Sequence, residues 1–180
     1  MQGSSIKDFI MKRVHTARGF FVTIGITLLC SCGHEVNSRS YSLMLNGLLN
    51  HSVPEVSVAA TSRCKDCVFL DAREQNEFNV SHLQHAVWVG YKTFDFKTIS
   101  DIPKNKKIIV YCSIGYRSEK IAEKLVKAGY TDVSNLYGGI FEWVNSGNTV
   151  YKKDHKPTNE IHAYSKMWSR WLNKGTKVYN

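Results

Sequence analysis

The sequence predicts an α/β domain built on a parallel sheet with helices over both faces. Three observations carry that expectation. Short, nearly continuous apolar runs recur at 68–71, 86–90 and 106–112, and DVSNL at 132–136 reads as a fourth strand. Segments of helical periodicity separate them, the clearest at 117–130. The apolar runs lack the alternation of a half-exposed strand, as strands buried on both faces do.

The chain has 180 residues and is 43% hydrophobic, enough for one ordinary domain with extensions. Its formal charge is +9, with the basic residues scattered rather than blocked. That charge can attract anionic substrates or a membrane surface, but a solvated surface is the plainer reading. A zinc-finger pair, an RNA-binding aromatic signature and a basic helical run are all missing, so no nucleic-acid partner is expected.

The N-terminal segment is predicted to lie outside the fold. Lys7, Lys12, Arg13 and Arg18 precede GFFVTIGITLLCSC, residues 19–32. This run is short for a membrane span, which needs about twenty apolar residues. A basic flank, a short apolar region and small residues after it describe a secretory signal. Its end, Leu29-Cys30-Ser31-Cys32-Gly33, resembles a bacterial lipobox. That resemblance implies a signal over 1–31 and acylation of Cys32, the expected lipid attachment. A plain signal peptide or an uncleaved anchor are the alternatives. Met11, followed by Lys12 and Arg13, is a more usual start for such a signal than Met1. The domain is therefore expected outside the cytoplasm, held to a bacterial membrane on its periplasmic or outer side.

Residues 32–53 read as a lipid-anchored tether with a short helix, SLMLNGLLN. VFLD, 68–71, is the first clear strand, and REQNEFNV, 73–80, a short helix. The runs AVWVG and KKIIVYC supply two more strands. In RSEKIAEKLVKAGY, Ile121, Ala122, Leu125, Val126 and Ala128 share one helical face, and Gly129 marks the end. DVSNL is a further strand, and Gly138-Gly139 leads into a short helix with Ile140, Phe141 and Trp143.

Within this pattern Cys112 falls at the carboxyl end of a buried strand, where open α/β sheets place their sites. Ser113-Ile114-Gly115-Tyr116 follows as a tight loop, and Arg117 and Ser118 begin a helix. A loop between a strand and a helix N-terminus points N–H groups inward and forms an anion nest. There a thiol becomes a thiolate more easily, favoured by the helix dipole and the nearby arginine. A thiolate is the nucleophilic form. Gly115 lets the backbone approach the sulfur closely. A buried structural cysteine is the competing reading, and the glycine loop with its arginine argues against it.

These residues resemble the rhodanese-like domain over roughly 54–146. The resemblance rests on Leu70-Asp71-Ala72-Arg73-Glu74 with Glu77-Phe78, on Ser81-His82-Leu83-Gln84-His85-Ala86, on the loop Cys112 to Ser118, and on Tyr137-Gly138-Gly139 with Trp143. It implies a three-layer α/β/α fold with a central parallel sheet. It also implies a sulfurtransferase, in which Cys112 takes the sulfane sulfur of a small anionic donor such as thiosulfate and carries it as a persulfide. A thiol, cyanide or a protein acceptor then removes it. Ser113, Ile114, Gly115, Tyr116, Arg117 and Ser118 are the residues expected to hold the substrate, with Arg117 binding the anionic donor. No cofactor and no metal are expected.

Related phosphatases and arsenate reductases carry one more residue between cysteine and arginine, which makes room for a tetrahedral oxyanion. Here four residues intervene, and the smaller nest suits a single sulfur atom. The second motif departs from the family's usual glycine and Pro-Gly, with Ser81, Gln84 and His85 in their places. The loop has Ile114 and Tyr116 where some thiosulfate-active members carry basic or polar groups. A catalytically silent binding or delivery module is the alternative from another class, since fold does not guarantee activity.

Other residues read as structural. Asp71 and Arg73 are expected to cap and to pair rather than relay charge. His82 sits in a turn motif and is expected to be a satisfied structural histidine rather than a base. Cys64 and Cys67 form C-x₂-C and His82 and His85 form H-x₂-H, but the histidine spacing is short for a zinc finger. A redox pair would open a helix, whereas this one precedes a strand. A disulfide between Cys64 and Cys67 is the preferred candidate, with Lys65-Asp66 as the turn that brings the Cα atoms within about 7 Å.

The tail, 147–180, is an aromatic extension beyond the usual domain. Tyr164, Met167, Trp168, Trp171 and Leu172 recur at spacings of three and four, which predicts a helix. Packing of that stripe onto the domain is the preferred reading, over docking to a partner or a membrane. A stripe packed there could also cover the active loop and select acceptors.

Overall fold

The computed structural model describes residues 36 and 38–179. The predicted leader, its lipobox and Cys32 lie outside them.

Helix α1, Arg39–Leu48, comes first, capped by the Ser38 side chain. Strand β1 is Glu55–Val56, and the single helical turn α2 is Val58–Thr61. Next come β2 at Val68–Asp71, α3 at Gln75–Val80 and β3 at Val87–Trp88. A 3₁₀ turn at Phe96–Ile99 leads to β4 at Ile108–Tyr111, then α4 at Tyr116–Lys127. Strand β5, Val133–Leu136, and helix α5, Gly139–Asn145, complete the central unit.

The five strands form one parallel sheet in the order β1-β5-β4-β2-β3. All four residues of β4 are buried, which its position at the centre requires. Successive residues of a strand point to opposite faces, and the two cores follow that rule. Ile109 and Tyr111 join Tyr41, Leu45, Ile140 and Phe141 on the side of α1 and α5. Ile108, Val110 and Cys112 join Ile121, Ala122 and Leu125 on the side of α4. The result is the three-layer α/β/α fold. Each fully buried Leu or Ile contributes about 2 kcal/mol.

Both flanking segments take part in the core. The segment read as a tether with a short helix contains α1, whose Tyr41 and Leu45 are buried, with Leu49 just after it, in the same cluster as the sheet. Its apolar face joins the cluster that also holds Ile140 and Phe141 of α5, so it packs rather than trails. Tyr41 also donates its hydroxyl to the Gly138 carbonyl at 2.9 Å.

The C-terminal extension is not the expected helix. It forms a two-stranded antiparallel pair, β6 at Val150–Tyr151 with β7 at Pro157–Thr158. A parallel pair follows, β8 at Glu160–His162 with β9 at Thr176–Val178, joined through a 3₁₀ turn at Trp168–Trp171. Tyr164 has φ of +62°, a conformation no right-handed helix accommodates, and it breaks the periodic stretch. The aromatic spacing still serves packing: Trp171 stacks on Tyr41 with ring centroids 5.2 Å apart. Among the described residues, no helix is long and apolar enough to cross a membrane.

Candidate active site

Cys112 lies at the carboxyl end of β4, 1% exposed. Its sulfur accepts a hydrogen bond from the Gly115 N–H at 3.1 Å. Gly115 has φ of +120°, which a residue with a Cβ rarely adopts, and that geometry turns its N–H back on the sulfur. Helix α4 begins at the next residue, so the sulfur also faces the positive end of a twelve-residue helix.

The loop is clamped from behind. Asn135 on β5 donates to the Gly115 carbonyl at 3.1 Å. The Ser118 hydroxyl lies 2.7 Å from Asn135 Oδ1 and 3.0 Å from the Gly115 carbonyl. Ser118 is completely buried, away from the wall of the cavity beside Cys112, and from there it clamps the loop. The carbonyls of Cys112 and Ser113 are taken by the N–H groups of Ile140 and Phe141 at 2.9 and 3.1 Å. Helix α5 thereby consumes the outward acceptors of the loop.

Arg117 lies at the site, but it is not free. Its guanidinium donates to both oxygens of Glu77, at 2.6 and 2.8 Å, and to the Ser113 hydroxyl oxygen at 3.0 Å. Ser113 itself donates to Glu77 at 3.0 Å. The ring of Tyr164 covers the guanidinium, 4.9 Å from its carbon to the ring centroid. Burial works against the Arg117 charge, but Glu77 and the Cys112 sulfur outweigh it and raise its pKa. Burial likewise opposes ionisation of Glu77, and the hydrogen bonds and charge of Arg117 outweigh it and hold the carboxyl below its usual range.

Above the sulfur is a cavity of about 260 Å³. Cys112, Ser113, Ile114, Tyr116 and Arg117 line it. Leu48, Tyr164 and Trp168 complete the wall from the two ends of the chain. The sequence offered the aromatic stripe as one possible cover but could not place it. Glu77 was visible only as part of a motif, and its grip on Arg117 spans 40 residues.

The remaining singled-out residues lie away from that wall. Asp71 and Arg73 form a fully buried ion pair at 2.6 Å, and Arg73 also donates to the Ser81 carbonyl. His82 stacks on Phe78 with centroids 4.0 Å apart, and its Nδ1 lies 3.1 Å from the Phe78 carbonyl. Cys64 and Cys67 are bonded to each other, their Cα atoms 5.9 Å apart. Cys112 is the free cysteine among the described residues. Among those residues, no group of three or more His, Cys, Asp or Glu side chains is arranged to hold a metal ion.

A parallel sheet carrying a buried cysteine at the head of a short loop, closed by an arginine at a helix start, defines a class of cysteine-loop α/β domains. Within that class the chain belongs to the rhodanese-like domain family, whose model matches residues 56–146. It is 38% identical over 102 residues to a tRNA uridine(34) hydroxylase of Bacillus cereus strain Q1, covering 54% of this chain and 30% of that protein. The chain thus spans about a third of the length of the curated relatives it matches. Solved structures share the fold. A Bacillus halodurans protein superposes with a TM-score of 0.51 at 22% identity, covering 63% of this chain and 84% of that one. A Pseudomonas aeruginosa thiosulfate sulfurtransferase gives 0.52 at 19% identity, over 77% and 27%.

Proposed function

We propose that this chain is a sulfurtransferase that carries a sulfane sulfur on Cys112. The observation that carries the reading is the Gly115 N–H aimed at the Cys112 sulfur from the start of α4. Those groups stabilise negative charge on whichever sulfur sits there. In the first step the Cys112 thiolate forms a bond to the outer sulfur of the donor. The bond inside the donor breaks, and its electron pair leaves with the departing group, sulfite in the case of thiosulfate. Cys112 is then a persulfide anion held by the loop amides. In the second step an acceptor thiolate or cyanide attacks the outer sulfur, and the electron pair of the S–S bond returns to Cys112.

The four-residue span from Cys112 to Arg117 supports sulfur transfer over phosphate-ester hydrolysis, because the nest is small. The Pseudomonas aeruginosa thiosulfate sulfurtransferase shows that this fold can host such chemistry. This chain spans 30% of the tRNA uridine(34) hydroxylase of Bacillus cereus strain Q1, and hydroxylation is not the activity proposed for it. The test is to incubate the protein with a sulfane donor and weigh it. A gain of one sulfur atom, absent in Cys112→Ser, is expected. No gain with any donor would leave the silent binding module as the better description.

We also propose that the domain works outside the cytoplasm on an acylated Cys32. The lipobox-like leader supports this, and the bonded pair Cys64–Cys67 suits an oxidising compartment. Cys32→Ser is expected to abolish labelling by a radioactive fatty acid and to release the protein from membranes. Unchanged labelling in that variant refutes the anchor.

A further inference from the structure

The cavity over Cys112 has an apolar wall drawn from three separate parts of the chain. Leu48 comes from the end of α1, Ile114 and Tyr116 from the loop, and Tyr164 and Trp168 from the C-terminal extension. Its charged lining residue, Arg117, is already paired with both oxygens of Glu77 and covered on one face by Tyr164. An inorganic dianion entering this space would meet an engaged cation and hydrocarbon. An aromatic ring would meet a matching surface. Dry cavities of roughly 150 Å³ admit benzene, and this one measures about 260 Å³.

Tyr164 is held where it is at a local cost. It is half exposed, with φ of +62°. The Ser165 N–H bonds back to the Ala163 carbonyl at 2.8 Å, closing a three-residue turn around it. Its own N–H donates to His162 Nδ1 at 3.1 Å. A bulky residue in that region persists when its surroundings over-determine it, and such positions gather at ligand clamps.

We infer that the sulfur donor of this site is an organic compound with an apolar or aromatic body and a neutral or singly charged head, rather than inorganic thiosulfate, and that Tyr164 is a specificity-determining residue. The inference rests on the sulfurtransferase reading of Cys112. With an aromatic thiosulfonate, Cys112 bonds to the terminal sulfur and the bond from that sulfur to the sulfonyl group breaks. The electron pair leaves with the sulfinate, and no oxidant or reductant is consumed.

Two measurements test it on the full chain. Calorimetry on Cys112→Ser reads binding without turnover, and benzenethiosulfonate is expected to bind about tenfold or more tightly than thiosulfate. On the intact protein, kcat/KM for sulfur uptake is expected to favour the aromatic donor to a similar degree. Tyr164→Ala should shrink that ratio several-fold while Tyr164→Phe retains it. Leu48→Lys, which brings a free cation to the mouth, should move the preference toward thiosulfate. Equal or tighter binding of thiosulfate, with sulfur still gained on Cys112, overturns the inference alone. No sulfur gained from either donor overturns it together with the carrier reading beneath it.

Discussion

At Glu77 one carboxylate does several jobs at once. It accepts from the Glu74 N–H in a capping box at the start of α3, and it holds Arg117 and Ser113 in the active loop. Removing one partner of a buried ion pair leaves the other uncompensated, so Glu77→Gln should cost roughly 3 kcal/mol in a urea titration at neutral pH. The pair also has a pH signature. The carboxyl is held below its ordinary value of 4.5 in the folded protein, despite burial, by Arg117. Its contribution is therefore complete above that value and is lost as the pH falls through the lower, folded pKa. The denaturation midpoint of the native protein should drop faster below pH 4.5 than that of Glu77→Gln. Parallel acid limbs would show that the carboxylate is not paired in solution.

At the scale of elements, the active loop is shaped by the meeting of β4, α4 and α5. Helix α5 reaches the loop through Gly139, whose φ is +58°. A Cβ there would overlap the Cys112 carbonyl oxygen and come within 2.7 Å of the Ser113 carbonyl. Those contacts are backbone and cannot swing aside. Gly139→Ala should therefore destabilise the fold by roughly 2 kcal/mol or more. It should also reduce sulfur uptake at Cys112, because the loop moves with the strand end. Thermal melting and the mass assay together check this. A variant that melts normally and takes up sulfur at the native rate contradicts the proposed tight junction. The glycine pair was legible in the sequence as a turn before a helix, but its contact with the nucleophile's own carbonyl was not.

Across the whole molecule, the family match at 56–146 does not mark the limits of the core. Tyr41, Leu45 and Leu49 before it, and Val150, Ile161, Ala163 and Leu172 after it, are buried in the same cluster as Ile109 and Phe141. The leucine, isoleucine and valine side chains among them are each worth about 1.5–3 kcal/mol when fully buried, against a typical total stability of roughly 5–15 kcal/mol. A fragment of residues 54–146 should therefore lack a cooperative thermal transition by circular dichroism, while residues 36–180 melt as one unit. A stable, cooperative 54–146 fragment would restore the sequence boundaries. Those boundaries came from motif coverage, and motifs follow the catalytic loop rather than the limits of burial.

What the sequence alone determined was local. The order of strands and helices from β2 to α5, the buried β4, the start of α4 and the position of Cys112 follow from periodicity and turn residues within a few positions of one another, whereas β1 and α2 are too short to be read that way. Tertiary structure decided which distant groups meet. It paired Arg117 with Glu77, turned Ser118 inward onto Asn135, and set Leu48, Tyr164 and Trp168 around the sulfur. It also replaced the expected C-terminal helix with short strands and a 3₁₀ turn. The physical reason is that neighbours in the chain set only a backbone preference, which packing can override as it does in the C-terminal extension, whereas side-chain partners are chosen by packing throughout. The hydroxyl of Tyr41 finds the Gly138 carbonyl across 97 residues of sequence, and only the closed core brings them together.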